Sequence, residues 1–178
     1  MKVAWGLDGA GHLLGECVEV LLGLPSADLY ISRSAEEVLS LYSLKEKIDT
    51  APTLFIIPPQ GLTFSSAGRF ARREYDLLVL APASSNSVAK FVCGISDSLT
   101  TNLFAAAGKS KVDIVVLPTD TAEKIDSLSP SGWVKVFPRR IDLENVSRLA
   151  SFEGVTVGKT VAELERVLRE RLWERPCL

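Results

Sequence analysis

The sequence predicts an α/β fold in which helices cover both faces of a parallel β-sheet, giving a three-layer sandwich. Two short runs, Asp76–Ala81 and Val112–Leu117, are almost wholly apolar, as expected for strands that are buried on both faces. Strand-like runs alternate along the chain with segments of helical periodicity, and this order produces a parallel sheet. Polar clusters directly follow several predicted strands, which is where such sheets bind ligands.

This alternation predicts a Rossmann-like or flavodoxin-like sheet in a single domain covering residues 1–178. The predicted strands are Val3–Leu7, Ala27–Ser32, Leu54–Ile57, Asp76–Ala81, Val112–Leu117, one strand within Gly132–Arg140, and Val155–Val157. The predicted helices are Leu13–Leu22, Ser34–Tyr42, Ser65–Tyr75, Ser84–Gly94, Asp97–Ala107, Asp142–Phe152 and Val161–Trp173.

The helix boundaries follow from apolar periodicity and from residues that begin or end helices. Apolar side chains recur at helical spacing across Leu13–Leu22. The second helix begins in a serine-rich loop, where Ser34 and Glu37 have the spacing of a capping box. The region Ser43–Phe64 is the least readable, because only its short apolar run before two prolines indicates a strand.

Composition and charge exclude several classes of function. The chain has 178 residues, of which 47% are hydrophobic and 24% are charged, and its formal net charge is -2. Because no basic tract is present, no nucleic-acid partner is expected. No apolar run approaches the roughly 18 residues needed to cross a membrane, and the first apolar run is too short for a signal peptide. We therefore expect a cytoplasmic protein without a membrane partner.

Three scattered cysteines, Cys17, Cys93 and Cys177, and the single histidine, His12, restrict the chemistry further. No CxxC pair occurs, so neither an iron–sulfur cluster nor another metal site is expected within one chain. An odd number of dispersed thiols is typical of a reducing compartment. A mechanism that needs two histidines is unavailable to a single chain.

The loop after the first strand is rich in glycine and precedes a helix. Glycines allow the backbone to approach an anion, and the N-terminus of the following helix attracts negative charge. The spacing departs from the dinucleotide motif G-x-G-x-x-G. Two interpretations remain open, namely a phosphate loop formed by Gly9, Ala10, Gly11 and His12, or a tight turn capped by Asp8. His12 is either a donor to the ligand or a surface residue.

The loop after the second strand carries Ser32, Arg33 and Ser34. The two hydroxyl groups can donate to a phosphate, and the guanidinium can neutralise its charge. The same residues also fit a helix N-cap followed by a solvated arginine, which the pattern alone favours, although both interpretations remain open.

The strongest pattern is the polar helix and turn that follow the apolar strand Asp76–Ala81. Small alanines permit close approach, and the serines and asparagine present donors and acceptors suited to the edge of a heterocycle. The candidate ligand residues in this pattern are Ala81, Ala83, Ser85, Asn86, Ser87, Lys90, Ser96, Ser98, Thr101 and Asn102. Lys90 also fits a solvated position, and Asp97 or Ser98 also fits a helix N-cap.

The stretch APASSNSVAKFVCGISDSLTTN, residues 81–102, resembles the flavin-mononucleotide signature of the homo-oligomeric flavoprotein family. It matches that family's runs A-P-A-[ST]-x-N-[ST]-[IVL]-A-K and G-[IV]-[AS]-D-x-L and its T-N pair. The stretches MKVAWGLDGAGH and IDLENVSRLASFEGVTV are similar to one branch, which holds archaeal-type flavoproteins and flavin-dependent dihydromethanopterin reductases. The resemblance is poor across Ser43–Phe64, and Asp8 stands where relatives often carry Ser or Thr.

The resemblance implies that FMN is the cofactor. The phosphate is expected near Gly9–His12 and Ser32–Ser34. The ring is expected along Ala81–Ser87, with Ser96–Leu99 and Asn102 closing the site. The resemblance thereby adds Pro82, Asp97 and Leu99 to the candidate ligand residues. The implied reaction is the reduction of a pterin such as dihydromethanopterin, with NAD(P)H or a redox protein as the donor. The flavin performs that chemistry, so no acid–base residue is obligatory.

The resemblance also implies a homo-oligomer, commonly a trimer and sometimes a dodecamer, in which a neighbouring subunit adds contacts near the flavin. The family's decarboxylases use a P-x-M-N-x-x-M motif, which this chain lacks because Met1 is its only methionine. A flavin prenyltransferase and a non-enzymatic FMN electron-transfer protein remain alternatives. Trp5, Trp133 and Trp173 are candidates for stacking on the ring, although the core or an interface is the usual place for tryptophan.

Overall fold

The computed structural model describes residues 1–57 and 64–172, and it confirms the predicted α/β architecture. The strands are β1 (Val3–Leu7), β2 (Ala27–Ile31), β3 (Leu54–Ile56), β4 (Leu77–Ala83), β5 (Asp113–Pro118), β6 (Ile125–Ser129), β7 (Gly132–Val136) and β8 (Val155–Val157). The helices are α1 (Leu14–Leu22), α2 (Arg33–Leu41), α3 (Lys45–Asp49), α4 (Phe64–Ala71), α5 (Ser85–Cys93), α6 (Leu99–Lys109), α7 (Arg140–Leu149) and α8 (Val161–Leu172).

Six strands form one parallel sheet in the order β3-β2-β1-β4-β5-β8. The chain first builds outwards from β1 through β2 to β3, and then returns to add β4 on the other side of β1. The direction of winding therefore reverses between β1 and β4. In doubly wound sheets the crevice at the carboxyl ends of the strands beside this reversal is the usual ligand site.

Alternate side chains of the central strands belong to two separate cores. One core contains Trp5 of β1 and Val79 of β4, and it is covered by α1, α2 and α8. The other contains Ala4 of β1 and Leu78 and Leu80 of β4, and it is covered by α4, α5, α6 and α7. Because both faces are buried, every residue of β4 is buried, which explains the uninterrupted apolar run in the sequence.

The strand predicted within Gly132–Arg140 is present as β7, but it lies outside the parallel sheet. It pairs antiparallel with β6, a strand that the sequence analysis did not predict. The β6 sequence, IDSLS, has only two apolar residues, Ile125 and Leu128. It therefore lacks the apolar run by which the other strands were recognised.

Several predicted boundaries are corrected. Strand β4 continues past the expected end at Ala81, because Ala83 pairs with Pro118 of β5. Helix α2 is capped by Ser32, whose hydroxyl accepts a hydrogen bond from the Ala35 N–H at 3.1 Å, and not by the expected capping box. Helix α4 ends at Ala71 rather than at Tyr75.

The poorly readable region contains a short helix, α3, that was not predicted, and a strand, β3, that was. The two prolines expected to stop this strand, at positions 58 and 59, lie outside the described residues. Among the helices that the structure describes, none combines the length and the apolar character that a membrane crossing requires.

Candidate functional site

Four segments meet at the carboxyl edge of the sheet beside the reversal between β1 and β4. They are Asp8–His12 after β1, Ser32–Ser34 after β2, Ser84–Ser87 after β4, and Ser98–Leu99 at the start of α6, and together they bound what we call the crevice. Helices α2, α5 and α6 each begin in these segments with a serine hydroxyl as the N-cap. Helix N-termini carry partial positive charge, so this edge suits an anionic or polar ligand.

Gly9 brings the first segment against the second. A Cβ atom at Gly9 would lie 2.6 Å from the Cβ of Ser34 and 2.7 Å from its Oγ, so only glycine permits this approach. The Oγ atoms of Ser32 and Ser34 are 3.1 Å apart. The Ser34 hydroxyl therefore lies beside the Gly9 backbone, and the Ser32 hydroxyl lies next to that of Ser34.

The second segment and the fourth line one cleft of about 380 Å³, formed by Ser32, Arg33, Ser34, Glu37, Ser98 and Leu99. The structure thus brings together two predicted clusters that are distant in sequence. The Arg33 side chain is 95% exposed, and its Nε lies 4.0 Å from the Glu37 carboxylate. An exposed ion pair of this kind restrains an arginine only weakly, so Arg33 can turn towards an anion in the cleft.

Asp8 joins the first segment to the third. Its Oδ1 accepts a hydrogen bond from the Gly9 N–H at 2.7 Å, and its Oδ2 accepts from the Ser84 N–H at 3.1 Å and the Ser84 hydroxyl at 2.7 Å. Asp8 therefore accepts a hydrogen bond within the turn after β1, but it does not cap the helix that follows. Helix α1 begins at Leu14, after Leu13 in the left-handed conformation (φ 62°), and no side chain caps it.

Ala81, Pro82 and Ala83 form a buried wall beside the crevice. The Ala81 carbonyl accepts from the Trp5 indole N–H at 2.8 Å, and the Ala83 carbonyl accepts from the Thr119 N–H at 2.9 Å. Both carbonyls are therefore hydrogen-bonded within the fold, and the feature of these alanines that bears on the crevice is their small size. Trp5 is fully buried, so its place is the core and not a position for ring stacking.

The first residues of α5 differ in their accessibility. Ser85 is half-buried and Asn86 is exposed, whereas Ser87 is buried and its N–H donates to the Ser84 Oγ at 3.3 Å. The side chains of Ser85 and Asn86 are therefore the accessible polar groups at this end of α5.

The other predicted residues on α5, in the turn that follows it and on α6 divide into two groups. The Lys90 ammonium donates to both carboxylate oxygens of Asp97, at 2.8 and 2.9 Å, and this ion pair joins α5 to the turn before α6. Ser96 and Asn102 instead line a groove of about 560 Å³ with small residues of α4 and α6. The structure therefore does not bring Ser96 and Asn102 together with Ser98 and Leu99, which line the cleft.

His12 is half-buried near two carboxylates. Burial lowers the pKa of His12 below its ordinary value of 6.5, and the negative charges of Glu16 and Asp120 oppose that shift without reversing it. The imidazole is therefore neutral at pH 7 and offers one N–H donor and one acceptor. Asp120, in the loop after β5, was not identified from the sequence.

The β6–β7 hairpin is linked to the first segment through Tyr42. Gly11 packs against the Tyr42 ring, and the Tyr42 hydroxyl donates to the Leu128 carbonyl at 3.0 Å. Sequence reasoning missed this link because no local pattern relates α2 to a distant hairpin. Trp133, on the hairpin, is 73% exposed, and Trp173 lies outside the described residues.

Known proteins resemble this chain at the level of both sequence and structure. A family model described as Flavoprotein matches residues 65–169. The dihydromethanopterin reductase (acceptor) of Methanosarcina mazei is 39% identical over 141 residues, which is 72% of this chain and 59% of the reductase. The chain thus spans less than two thirds of that relative. The flavin prenyltransferase UbiX of Thermoplasma acidophilum is 30% identical over 125 residues, 67% of each protein.

Among solved structures, the chain is similar to Burkholderia xenovorans DmrB, which was crystallised in complex with FMN and described as a cubic protein cage for redox transfer. The TM-score is 0.80 at 39% sequence identity, and the match covers 96% of this chain and 94% of DmrB. The similarity therefore extends over nearly the whole fold.

Proposed function

Because this chain belongs to the Flavoprotein family, we propose that it is an FMN-dependent oxidoreductase that reduces a pterin such as dihydromethanopterin. The observation that carries the proposal is the meeting of the Ser32–Ser34 and Ser98–Leu99 segments in one cleft beside the Gly9 loop. The structure of DmrB with FMN, at 39% identity, supports the cofactor. The M. mazei reductase, also at 39% identity, supports the reaction.

The described residues fit the phosphate end of FMN. A phosphate needs several N–H and O–H donors near the positive end of a helix. Ser32 and Ser34 offer hydroxyl groups at the start of α2, and Arg33 can turn to add a positive charge. A side chain at Gly9 would fill the space through which the backbone approaches these serines. His12, as a neutral imidazole, adds one N–H donor.

The residues also fit the ring end. Ala81 and Ala83 are small and buried at the end of β4, so they add no bulk beside the accessible residues that follow them. Ser85 and Asn86 present accessible donors and acceptors, which can read the polar edge of a heterocycle. The ion pair between Lys90 and Asp97 holds the turn before α6, and so it positions Ser98 and Leu99 on the opposite side.

FMN, when bound, supplies the hydride or electron transfer itself. The chain's own residues bind the cofactor, orient it and restrict the access of water to it. The electron donor is NAD(P)H or a redox protein that docks transiently, because the sequence has no dinucleotide motif of the form G-x-G-x-x-G.

We extend the proposal to a homo-oligomer, with a trimer or a dodecamer as the predicted forms. The cage described for DmrB supports assembly from copies of one chain. The groove that holds Ser96 and Asn102 lies open at the surface, where a neighbouring subunit would complete it. Cytoplasmic location is part of the same proposal, since Cys17 and Cys93 are free thiols, as is usual in a reducing compartment.

The cofactor assignment is tested by titrating the purified chain with FMN and recording the flavin absorbance. The wild-type protein is expected to bind FMN, and Ser34→Ala is expected to bind about tenfold more weakly, because one charge-assisted hydrogen bond to phosphate is lost. Ser40→Ala is the matched control, since its hydroxyl donates to the Glu36 carbonyl on the exposed side of the same helix. A colourless protein that binds no added FMN would refute the assignment.

The reaction is tested by following the oxidation of bound, reduced FMN as dihydromethanopterin is added. Rapid oxidation with release of the tetrahydro product is expected. Reduction and reoxidation of the flavin without pterin turnover would contradict the reductase and support the electron-transfer protein. The similarity to UbiX makes a prenyltransferase the second candidate. Mass spectrometry of the flavin after incubation with dimethylallyl phosphate would reveal its prenylated product.

A further inference from the structure

Asp8 is a carboxylate whose hydrogen bonds connect two loops of the crevice. Its side chain is buried, at 9% exposure. Both oxygens are used, one by the Gly9 N–H and the other by the N–H and hydroxyl of Ser84. A buried carboxylate is costly unless it is hydrogen-bonded, and these three bonds satisfy it.

The two residues that donate to Asp8 follow β1 and β4, the strands between which the direction of winding reverses. Gly9 follows β1 and packs against Ser34 at the start of α2. Ser84 follows β4 and is the N-cap of α5, accepting from the Ser87 N–H. The Asp8 carboxylate therefore joins the loop that is proposed to hold the phosphate to the loop that is proposed to hold the ring.

The three donors to Asp8 are neutral groups, so none of them cancels its charge. The carboxylate lies where α5 begins, which is a position that favours an anion. Asp8 thus occupies a place in the crevice that an anionic part of a ligand would otherwise prefer. This leaves the start of α2, with Ser32, Arg33 and Ser34, as the place for a phosphate.

From these contacts we propose that Asp8 is a positioning residue of the FMN site, an inference that rests on the proposed function. It fixes the distance between the phosphate loop and the ring loop, and it places a permanent negative charge in the crevice. Two-electron reduction of the flavin with uptake of one proton adds one negative charge to it, so a fixed negative charge nearby weakens the binding of the reduced form relative to the oxidised form. Asp8 therefore shifts bound FMN towards a more strongly reducing potential.

The test compares wild-type protein with Asp8→Asn, which keeps the shape of the side chain and removes its charge. Dissociation constants are measured for oxidised FMN by fluorescence and for reduced FMN under anaerobic conditions. Oxidised FMN is expected to bind about tenfold more weakly to the variant, because the Asn amide cannot accept from all three donors. The ratio of the dissociation constant of reduced FMN to that of oxidised FMN is expected to fall about tenfold. This fall corresponds to a rise of about 30 mV in the midpoint potential of bound FMN, taken as a two-electron couple.

Two further variants separate charge from geometry. Ser84→Ala keeps the charge and removes both hydrogen bonds of the Ser84 hydroxyl, the one to Asp8 and the one from the Ser87 N–H, so both dissociation constants should rise by the same factor. Glu46→Gln removes an equivalent charge from an exposed position on α3, so it should change neither constant. Asp8→Ser is the second charge-free variant if Asp8→Asn does not fold, with the same expected fall in the ratio.

An unchanged ratio in the charge-free variants would overturn the role of Asp8 in setting the potential. Unchanged affinities would overturn its positioning role. Hydrogen exchange of the Gly9 and Ser84 amides in the cofactor-free chain tests the loop connection independently, and faster exchange of both is expected in Asp8→Asn. If wild-type protein binds no FMN, the proposed function fails, while this exchange measurement still decides whether Asp8 connects the loops.

Discussion

Replacing Gly9 with alanine should weaken the proposed cofactor site by separating the first loop from α2. The added Cβ would lie 2.6 Å from the Ser34 Cβ, and ordinary contacts begin near 3.4 Å, so the two must separate by about 0.8 Å. The Ser34 Cβ is attached directly to the helix backbone, and so it cannot retreat without moving the first turn of α2. The variant therefore changes the position of the hydroxyl groups that are proposed to hold the phosphate.

The expected cost can be stated for both stability and binding. Overpacking of this kind typically lowers the free energy of unfolding by about 1–3 kcal/mol. A displacement near 1 Å at a ligand site can reduce function about 100-fold, so we expect the FMN dissociation constant of Gly9→Ala to rise about 10- to 100-fold. Urea denaturation and FMN titration measure the two effects separately.

Gly108→Ala is the matched control for this substitution. Gly108 lies within α6, and a Cβ atom there would meet nothing within 4 Å. Alanine is the better helix former, so the control should gain roughly 0.5–1 kcal/mol of stability with unchanged FMN affinity. If Gly9→Ala bound FMN as tightly as wild type and unfolded at the same urea concentration, the reasoning from the Gly9–Ser34 approach would be refuted.

Three other predictions test the surroundings of the crevice. Ser98→Ala removes the capping box of α6, which should lower the free energy of unfolding in urea by about 1 kcal/mol. The control is Ser147→Ala, which should lower it less, because the Ser147 hydroxyl donates to the Leu143 carbonyl on the exposed side of α7. Equal losses of stability in the two variants would contradict the capping role. Tyr42→Phe removes the hydrogen bond to the Leu128 carbonyl, so it should lower the free energy of unfolding by about 1 kcal/mol. It should also speed hydrogen exchange across the β6–β7 hairpin. Unchanged exchange would show that this bond does not hold the hairpin. Because burial lowers the pKa of His12 below 6.5, the unfolded chain binds more protons in the range just below that pH, and the free energy of unfolding should fall as the pH drops through it. A single imidazole resonance titrating above pH 6.5, or an equal pH dependence in His12→Gln, would contradict this assignment.

The layer architecture was predictable from sequence because it depends on local apolar patterns. Strands β4 and β5 are buried on both faces, so their apolar runs are visible without any knowledge of their neighbours. Strand β6 carries only two apolar residues, and its register is set by pairing with β7, so no local pattern indicated it. The same reasoning explains why α3, a helix of five residues, was missed.

The identity of the crevice residues was largely predictable, because serine, asparagine and glycine after buried strands form a pattern that can be read directly. Their contacts were not. Ser34 and Asp97 were both predicted as ligand residues, Ser34 from its residue type and Asp97 from the family resemblance. The structure places Ser34 beside Gly9, in another loop of the crevice. It pairs Asp97 with Lys90, so Asp97 connects the turn before α6 to α5.

The sequence by itself determined which segments are core and which loops carry polar groups, because periodicity and residue type are local properties of the chain. Only the tertiary structure decided the role of Asp8. Its residue type gives no reason for a carboxylate to be buried in a glycine-rich loop, and only the fold shows that Ser84, after a distant strand, donates two hydrogen bonds to it. A buried charge is stabilised by the donors that surround it, and those donors are brought together by the reversal of the sheet between β1 and β4.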